Sequence, residues 1–300
     1  MPKQNDLWDA IASEISNATK SVFTTARHAA VGGGCINTAS VLSGKDGRRY
    51  FVKLNDAARV VMFEAESEGL AALAAAGGVR VPQPVCAGQT HSHAYLVLEH
   101  LELNGGNKRA AEQLGAGLAR QHRAQGNYFG WHRDNTIGST PQTNTPHQDW
   151  VAFYRNHRLG YQLALAQRNG YGGSVQRLGE QLLAGLEAFF GSYRPVPSLL
   201  HGDLWGGNHA ATRNGEPVVF DPAVYYGDRE ADIAMTELFG GFDARFYDAY
   251  RAAWPLDSGY AVRRQLYNLY HVLNHLNLFG GGYGGQAEHM MRALISEIRA

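Results

Sequence analysis

The residues best suited to chemistry lie in one short segment, His201-Gly-Asp-Leu-Trp-Gly-Gly-Asn208, and at Asp221, which ends the next apolar run. Kinase-type phosphoryl transfer needs a carboxylate at the attacking hydroxyl and an asparagine five positions later on a metal ion. Asp203 and Asn208 are five positions apart. The amide oxygen of Asn208 and the carboxylate of Asp221 suit a hard cation such as Mg²⁺. The segment therefore predicts a catalytic base, Asp203, and two metal ligands; the alternative is a chance run of polar turn residues.

A hairpin between these two sites would return Asp221 to the side of Asn208. The intervening chain contains Asn214-Gly215, a pair that favours a type I′ turn because both residues tolerate positive φ. We therefore predict two short antiparallel strands joined at that turn.

A buried ion pair is predicted in the first hundred residues. Lys53 lies in an apolar strand, where an unpaired ammonium would be costly. Glu66 falls on the same helical stripe as Phe63, Leu70 and Leu73. We therefore expect a Lys53–Glu66 pair, with two unconnected rim residues as the alternative.

Two further segments suit a nucleotide. Gly32, Gly33 and Gly34 precede the first hairpin strand, where exposed backbone N–H groups can approach phosphates. A glycine turn without a ligand is the alternative. The Glu99 carbonyl and the Leu101 N–H follow an apolar strand and are predicted to meet an adenine edge.

Strand patterns dominate the first part of the chain and helical patterns the second. Asp46-Gly47 predicts a hairpin between strands at 39–43 and 49–54, and a helix is predicted at 59–76. Asn104-Gly-Gly-Asn107 indicates a boundary between lobes 1–103 and 104–300. Further predictions are a strand at 94–98, helices at 108–124, 150–167, 175–193 and from 231 onwards, and a strand-and-loop island at 199–220.

Composition excludes several classes of protein. Lys and Arg total 27, as do Asp and Glu, so no net positive charge would recruit nucleic acid or an anionic membrane. The sequence contains no apolar run of membrane-spanning length and no apolar leader at its start, which predicts a cytoplasmic protein. Two cysteines cannot form a disulfide framework.

Other catalytic patterns fail. The phosphate-loop pattern does not fit around Gly44-Lys45, and no Gly-x-Ser-x-Gly is present. His271 and His275 share a helical face, but Val272 stands where a metalloprotease would need glutamate.

Taken together, these residues resemble the fructosamine/ketosamine 3-kinase family of the protein-kinase-like superfamily, over nearly the whole chain. The resemblance implies an α+β, two-lobed fold, with a mixed β-sheet lobe carrying one main helix and a larger, mainly helical lobe. The motifs that carry it are Gly33-Gly-Cys-Ile-Asn37, Phe51-Val-Lys53, Phe63-Glu-Ala-Glu66, His201–Asn208, Phe220-Asp-Pro-Ala223 and Tyr226-Gly-Asp-Arg-Glu-Ala-Asp-Ile-Ala234.

The resemblance implies ATP- and Mg²⁺-dependent phosphorylation of the sugar O3 of ketosamines such as ribulosamine or fructosamine, free or on protein lysines, in deglycation repair. It implies that Lys53 and Glu66 anchor phosphates and that Trp205 contacts substrate. His201 and Asp232 would be structural, Asp232 by holding the backbone of the catalytic loop.

Rival functions stay open. A related kinase would act on an aminoglycoside, choline or another amino alcohol, and an inactive scaffold would only bind ATP. Residues 260–300 contain only two acids, Glu288 and Glu297, which fits neutral hydroxyls better than polycations. Only eleven positions separate Asp221 from Asp232, too few for a long phosphorylation-controlled segment.

Cys35 is a candidate redox site. A thiol among N–H donors and near Lys53 should be acidic and reactive, although an inert turn residue is the alternative. We expect a monomer, and the family resemblance adds the expectation of a redox-linked dimer through Cys35.

Overall fold

A computed structural model describes residues 4–32 and 36–299 of the chain. The first part is a five-stranded sheet in the order β1-β2-β3-β5-β4, in which neighbouring strands are antiparallel. One helix lies on each face of this sheet. The elements are α1 Gln4–Thr19, β1 Thr25–Val31, β2 Thr38–Gly44, β3 Arg49–Asp56, α2 Val60–Ala76, β4 Pro84–Gln89 and β5 His93–Glu99.

Side-chain alternation along β3 decides which residues face the interior of the molecule. Val52 and Leu54 point to the face covered by α1, where they are buried with Ile11. Lys53 lies between them and therefore points to the opposite face, which carries α2. The apolar strand pattern thus places one ammonium group against one helix.

Glycine stands at two positions between these elements where the backbone has a positive φ. Gly77 ends α2 with φ +66°, and Gly47 has φ +86° in the four-residue loop between β2 and β3. The predicted hairpin and the predicted helix at 59–76 are confirmed.

The second part is mainly helical. Its central helix buries Leu266, Leu269 and Leu273 completely. The elements are β6 Leu103–Asn104, α3 Lys108–Gln121, β7 Asn135–Ile137, β8 Thr140–Gln142, α4 Trp150–Tyr154, α5 Gly160–Arg168, α6 Ser174–Ala184, β9 Ser198–Leu200, β10 His209–Thr212, β11 Pro217–Val219, β12 Tyr225–Gly227, α7 Glu230–Leu238, α8 Ala244–Ala253, α9 Tyr260–Phe279 and α10 Tyr283–Arg299.

Three predictions about elements need correction. The β10–β11 hairpin forms, but its turn is not type I′, because Gly215 has φ +79° whereas Asn214 does not adopt positive φ. Thr212 pairs with Glu216, so the loop has three residues with glycine at the left-handed position. The helix predicted at 175–193 stops at Ala184, and a 3₁₀ segment follows at Leu186–Phe190. The helix predicted at 150–167 contains a π segment, Arg155–Leu159.

The predicted lobe boundary between residues 103 and 104 falls inside β6, which pairs with β10 of the second part. The boundary stays a prediction. Within residues 4–32 and 36–299, no helix has both the length and the apolarity required to cross a bilayer.

Candidate active site

Lys53 lies between two carboxylates that come from different parts of the fold. Its Nζ contacts Glu66 Oε1 on α2 and lies 2.6 Å from Asp221 Oδ1. Its side chain is only 7% exposed. Burial opposes the positive charge, but the facing carboxylates of Asp221 and Glu66 outweigh burial and raise the pKa of Lys53. The ammonium therefore stays charged at neutral pH.

The loop that carries Asp203 is held by hydrogen bonds to one buried carboxylate. Asp232 accepts the N–H of His201 at 2.7 Å and that of Gly202 at 2.8 Å. Although burial opposes ionisation, the hydrogen bond from His122 helps to hold the pKa of Asp232 below its usual value. Two charge-assisted bonds to consecutive N–H groups fix the direction in which the loop leaves β9.

Gly202 is required by close packing as well as by its conformation. Its φ is +83°, and a Cβ there would lie 2.0 Å from the carbonyl oxygen of Ala223. The loop and the residues after Asp221 are therefore in direct backbone contact. The same two segments are joined by the hydrogen bond from the Ala223 N–H to the His201 carbonyl, at 2.8 Å.

Asp203 has the environment of a general base. Burial, and after it the charge of Asp221, raises the pKa of Asp203 to about 7. Asn208 Nδ2 donates to the Asp203 carbonyl at 2.9 Å and to its carboxylate Oδ2 at 3.3 Å. The amide group of Asn208 therefore orients Asp203.

Asp221 lies at a strained backbone position. Its φ is +59°, and Lys20 is the only other non-glycine residue in the described ranges with positive φ. Such strain is tolerated at functional sites where the surroundings fix the conformation. The hairpin supplies that constraint, because the Phe220 N–H donates to the Asn208 carbonyl at 3.1 Å. The Asp221 side chain is 49% exposed, so its second oxygen is accessible from the cleft.

A cleft of about 580 Å³ between the sheet and the helical part unites these groups. This volume is in the range of ligand pockets, roughly 300–1,000 Å³. Eight of the residues predicted for the site line it: Lys53, Glu66, Glu99, Leu101, Asp203, Trp205, Asn208 and Asp221.

The remaining predicted residues lie elsewhere or cannot be assessed. His201 and Asp232 are buried behind the cleft, and His201 Nε2 is 3.1 Å from the Phe220 carbonyl. Gly33, Gly34 and Cys35 lie outside the described residues, so their predicted roles stay predictions. Glu99 lines the cleft, but its carboxylate forms a salt bridge with Arg80 at 2.6 Å.

The sequence analysis missed a buried polar cluster that hydrogen-bonds the backbone just after Asp221. Arg158 is fully buried and donates to Asn144 Oδ1 at 2.7 Å, with its guanidinium 4.0 Å from the ring centre of Tyr225. Gln142 and Asn135 donate to the carbonyls of Ala223 and Val224, at 3.1 and 2.8 Å. The cluster fixes the segment between Asp221 and β12. The signal available in the sequence was three amide side chains close together in the chain, Asn135, Gln142 and Asn144.

A two-lobed fold in which a buried Lys–Glu pair, the loop residue Asp203 and an Asn–Asp pair line one cleft defines the protein-kinase-like class. The more specific identification comes from comparison with known proteins. The family model described as fructosamine kinase matches residues 7–297. The chain belongs to the fructosamine kinase family.

Named relatives and solved structures agree with this family assignment. The chain is 48% identical to a "Probable ketoamine kinase" of Synechocystis, over 96% of this chain and 97% of that protein. It is 44% identical to the "Protein-ribulosamine 3-kinase, chloroplastic" of Arabidopsis thaliana, over 90% of this chain and 83% of that protein. A crystal structure of a "putative fructosamine-3-kinase" from Thermobifida fusca superposes with a TM-score of 0.85 at 32% identity, covering 96% of this chain and 99% of that chain. An aminoglycoside phosphotransferase shares the fold, with a TM-score of 0.62 at 15% identity.

Proposed function

We propose that this protein phosphorylates the sugar O3 of ketosamines, ribulosamine or fructosamine, with Mg·ATP as donor. The observation that carries the proposal is that Asp203, Asn208, Asp221 and Lys53 line one cleft in a member of the fructosamine kinase family. The relatives' names, ketoamine kinase and protein-ribulosamine 3-kinase, support the ketosamine as acceptor. Deglycation of small molecules or of protein lysines is the corresponding cellular role.

In this proposal Asp203 receives the proton of the attacking hydroxyl. A carboxylate with a pKa of about 7 is deprotonated in a large fraction of molecules at neutral pH and is basic enough to accept that proton. The amide of Asn208 holds the carboxylate through its Nδ2. The attacking oxygen then forms a bond to the γ-phosphorus while the bond to ADP breaks.

The charged groups on the other side of the cleft suit the triphosphate. The Lys53 ammonium is kept charged and in place by Glu66, so it can bind phosphate oxygens. The donor set of Asn208 and Asp221, an amide and a half-exposed carboxylate, fits Mg²⁺. Mg²⁺ held there would neutralise charge on the phosphates. Glu99 and Leu101 also line the cleft, and we assign the adenine to their side of it.

The rival acceptor, an aminoglycoside, is less well supported. The aminoglycoside phosphotransferase is related by fold alone, at 15% identity. An inactive scaffold would have lost one or more of the four key side chains, and all four are present.

A direct assay tests the proposal. Purified protein is incubated with Mg·ATP and a peptide carrying a ribulosamine-modified lysine, and the product is analysed by mass spectrometry and by NMR for phosphate on O3. A fructosamine peptide and an aminoglycoside are run in parallel. Turnover of the aminoglycoside without turnover of either ketosamine would refute the proposal.

A further inference from the structure

A partly exposed aromatic surface continues from Trp205 away from the catalytic loop. Trp205 lines the cleft and is 39% exposed. Its ring meets that of Phe239 edge-on at 6.4 Å, and Phe239 lies 4.9 Å from the ring of His275. His275 in turn contacts Phe279 at 5.5 Å and Tyr283 at 5.3 Å. We call these four residues beyond Trp205, namely Phe239, His275, Phe279 and Tyr283, the aromatic wall.

The aromatic wall presents a free hydrogen-bond acceptor. His275 Nδ1 lies 2.8 Å from the His271 carbonyl. A carbonyl only accepts, so Nδ1 carries the hydrogen of the neutral ring and Nε2 carries a lone pair. Burial lowers the pKa of His275, which keeps the ring neutral at physiological pH. Within the part of the chain that the structure describes, Nε2 makes no hydrogen bond.

The surroundings of the aromatic wall favour one type of ligand. Residues 265–287, which include the end of α9 and the start of α10, contain no Asp, Glu, Lys or Arg. Phe279 is 57% exposed at the end of α9. Aromatic faces and a neutral imidazole nitrogen attract an ammonium group, and the rings also pack against methylene groups. With no carboxylate in residues 265–287, this part of the surface suits a single ammonium rather than a polycation.

The position of the aromatic wall matches the chemistry of a ketosamine. The amine of a ketosamine is attached to C1, two carbons from the hydroxyl at C3. When O3 lies at Asp203, the amine and its substituent must leave the site close by. Trp205, two residues from Asp203, lines the same cleft and begins the aromatic surface.

We propose that the aromatic wall is a specificity subsite for the alkylammonium arm of the acceptor. His275 Nε2 accepts a hydrogen bond from the ammonium, and Phe279 packs against the methylenes that follow it. This inference rests on the proposed ketosamine kinase activity and adds the part of the substrate that the protein recognises beyond the sugar.

Two acceptors and two variants test it. The acceptors are ribulosamines with the same sugar, one with a lysine side chain on nitrogen and one with a methyl group. Phe279→Ala should raise KM for the lysine-bearing acceptor roughly two- to five-fold and leave KM for the methyl-bearing acceptor and for ATP unchanged. His275→Phe, which keeps an aromatic ring and removes Nε2, should raise KM for both acceptors with little change in kcat.

Val22→Ala is the matched control, because Val22 is an exposed apolar residue, 82% accessible, that does not line the cleft. The thermal unfolding midpoint of each variant reports its folding, and Phe279 is exposed enough for the alanine to be tolerated. Equal changes with both acceptors for Phe279→Ala, or no change with either, would overturn the inference. Failure of the unmodified protein to turn over either ribulosamine would instead refute the proposed function.

Discussion

At the scale of single residues, the protonation of Asp203 governs the proposed chemistry. Partial burial of its carboxylate and the nearby charge of Asp221 together raise its pKa to about 7. Lys53 compensates the charge of Asp221 and Glu66 rather than that of Asp203. The site therefore contains one carboxylate that can change its proton occupancy near neutrality and one cation that cannot.

Asp203→Asn should lower kcat about 10²- to 10⁴-fold, the usual effect of removing a general base. The base must be unprotonated, so kcat/KM of the unmodified protein should fall as the pH falls through about 7. The residual activity of the variant should lack this acid limb. Steady-state rates between pH 5.5 and 8.5 measure both effects.

Affinity for ATP serves as the control for Asp203→Asn, because the side chain is assigned to the acceptor and not to the nucleotide. A variant that retained most of its activity, or that lost ATP binding equally, would contradict the assignment.

Asp221→Ala should weaken ATP binding in the presence of Mg²⁺ and change it much less in its absence. The reason is that alanine removes an anionic oxygen ligand of the metal. Calorimetric titration with ATP, with Mg²⁺ and with EDTA, measures the difference. The same Mg·ATP affinity in both proteins would exclude Asp221 as a ligand.

At the scale of elements, α2 must approach the second part closely for the Lys53–Glu66 pair to reach Asp221. Gly69 of α2 makes this possible, because a Cβ there would lie 2.9 Å from Val224 Cγ2. Val224 follows Asp221 closely and is almost completely buried. The packing of one helix therefore sets the distance between the Lys53–Glu66 pair and the segment that carries Asp221.

Gly69→Ala should lower the free energy of unfolding by about 1–3 kcal/mol, the usual cost of overpacking, and lower kcat/KM for ATP. Ordinary helix propensity predicts the opposite sign, since alanine is favoured over glycine by about 1 kcal/mol in a helix. Urea unfolding and ATP kinetics measure the two effects.

Gly285→Ala is the matched control for that experiment. Gly285 lies in α10 and has open space around the position of a Cβ, so its replacement should be neutral or stabilising. If Gly69→Ala behaved like Gly285→Ala, the close approach of α2 would not matter.

At the scale of the whole molecule, an ion cluster joins the two parts outside the cleft. Arg133, just before β7, lies 2.5 Å from Glu68 Oε1 and 3.5 Å from Glu64 Oε2, both on α2. His132 Nε2 is 3.0 Å from Glu68 Oε2. These contacts hold α2 from its solvent side while Gly69 fixes it from the inner side.

Arg133→Ala and Glu68→Ala should each raise KM for ATP, and a double-mutant cycle should give a coupling energy of about 0.2–1 kcal/mol. The coupling should shrink at high salt, because partly exposed charges are screened. Arg155→Ala, which breaks the Arg155–Glu187 pair within the second part, should leave KM for ATP unchanged. Additive effects of the two changes would show that the cluster does not position α2.

Some features were predictable because their information is local. The alternation along β3 and the helical stripe of α2 each involve neighbouring positions, so both the elements and the inward direction of Lys53 and Glu66 follow from sequence. The sequence analysis missed α1 and β1. β1 gave no strand signal because it is exposed over most of its length and lacks an alternating pattern. The prediction of a type I′ turn was wrong because the pair Asn214-Gly215 is also compatible with a three-residue loop, in which only the glycine has positive φ.

The sequence alone determined the chemical groups and their local spacing: a carboxylate and an amide five positions apart, a lysine in an apolar strand and a glutamate on an apolar stripe. Only the tertiary structure decided that Lys53 would meet Asp221, which is 168 positions away, that Arg158 would be buried under the site, and that an aromatic wall would adjoin Trp205. Short-range patterns encode the conformation of a segment, whereas contacts between distant segments depend on how whole elements pack.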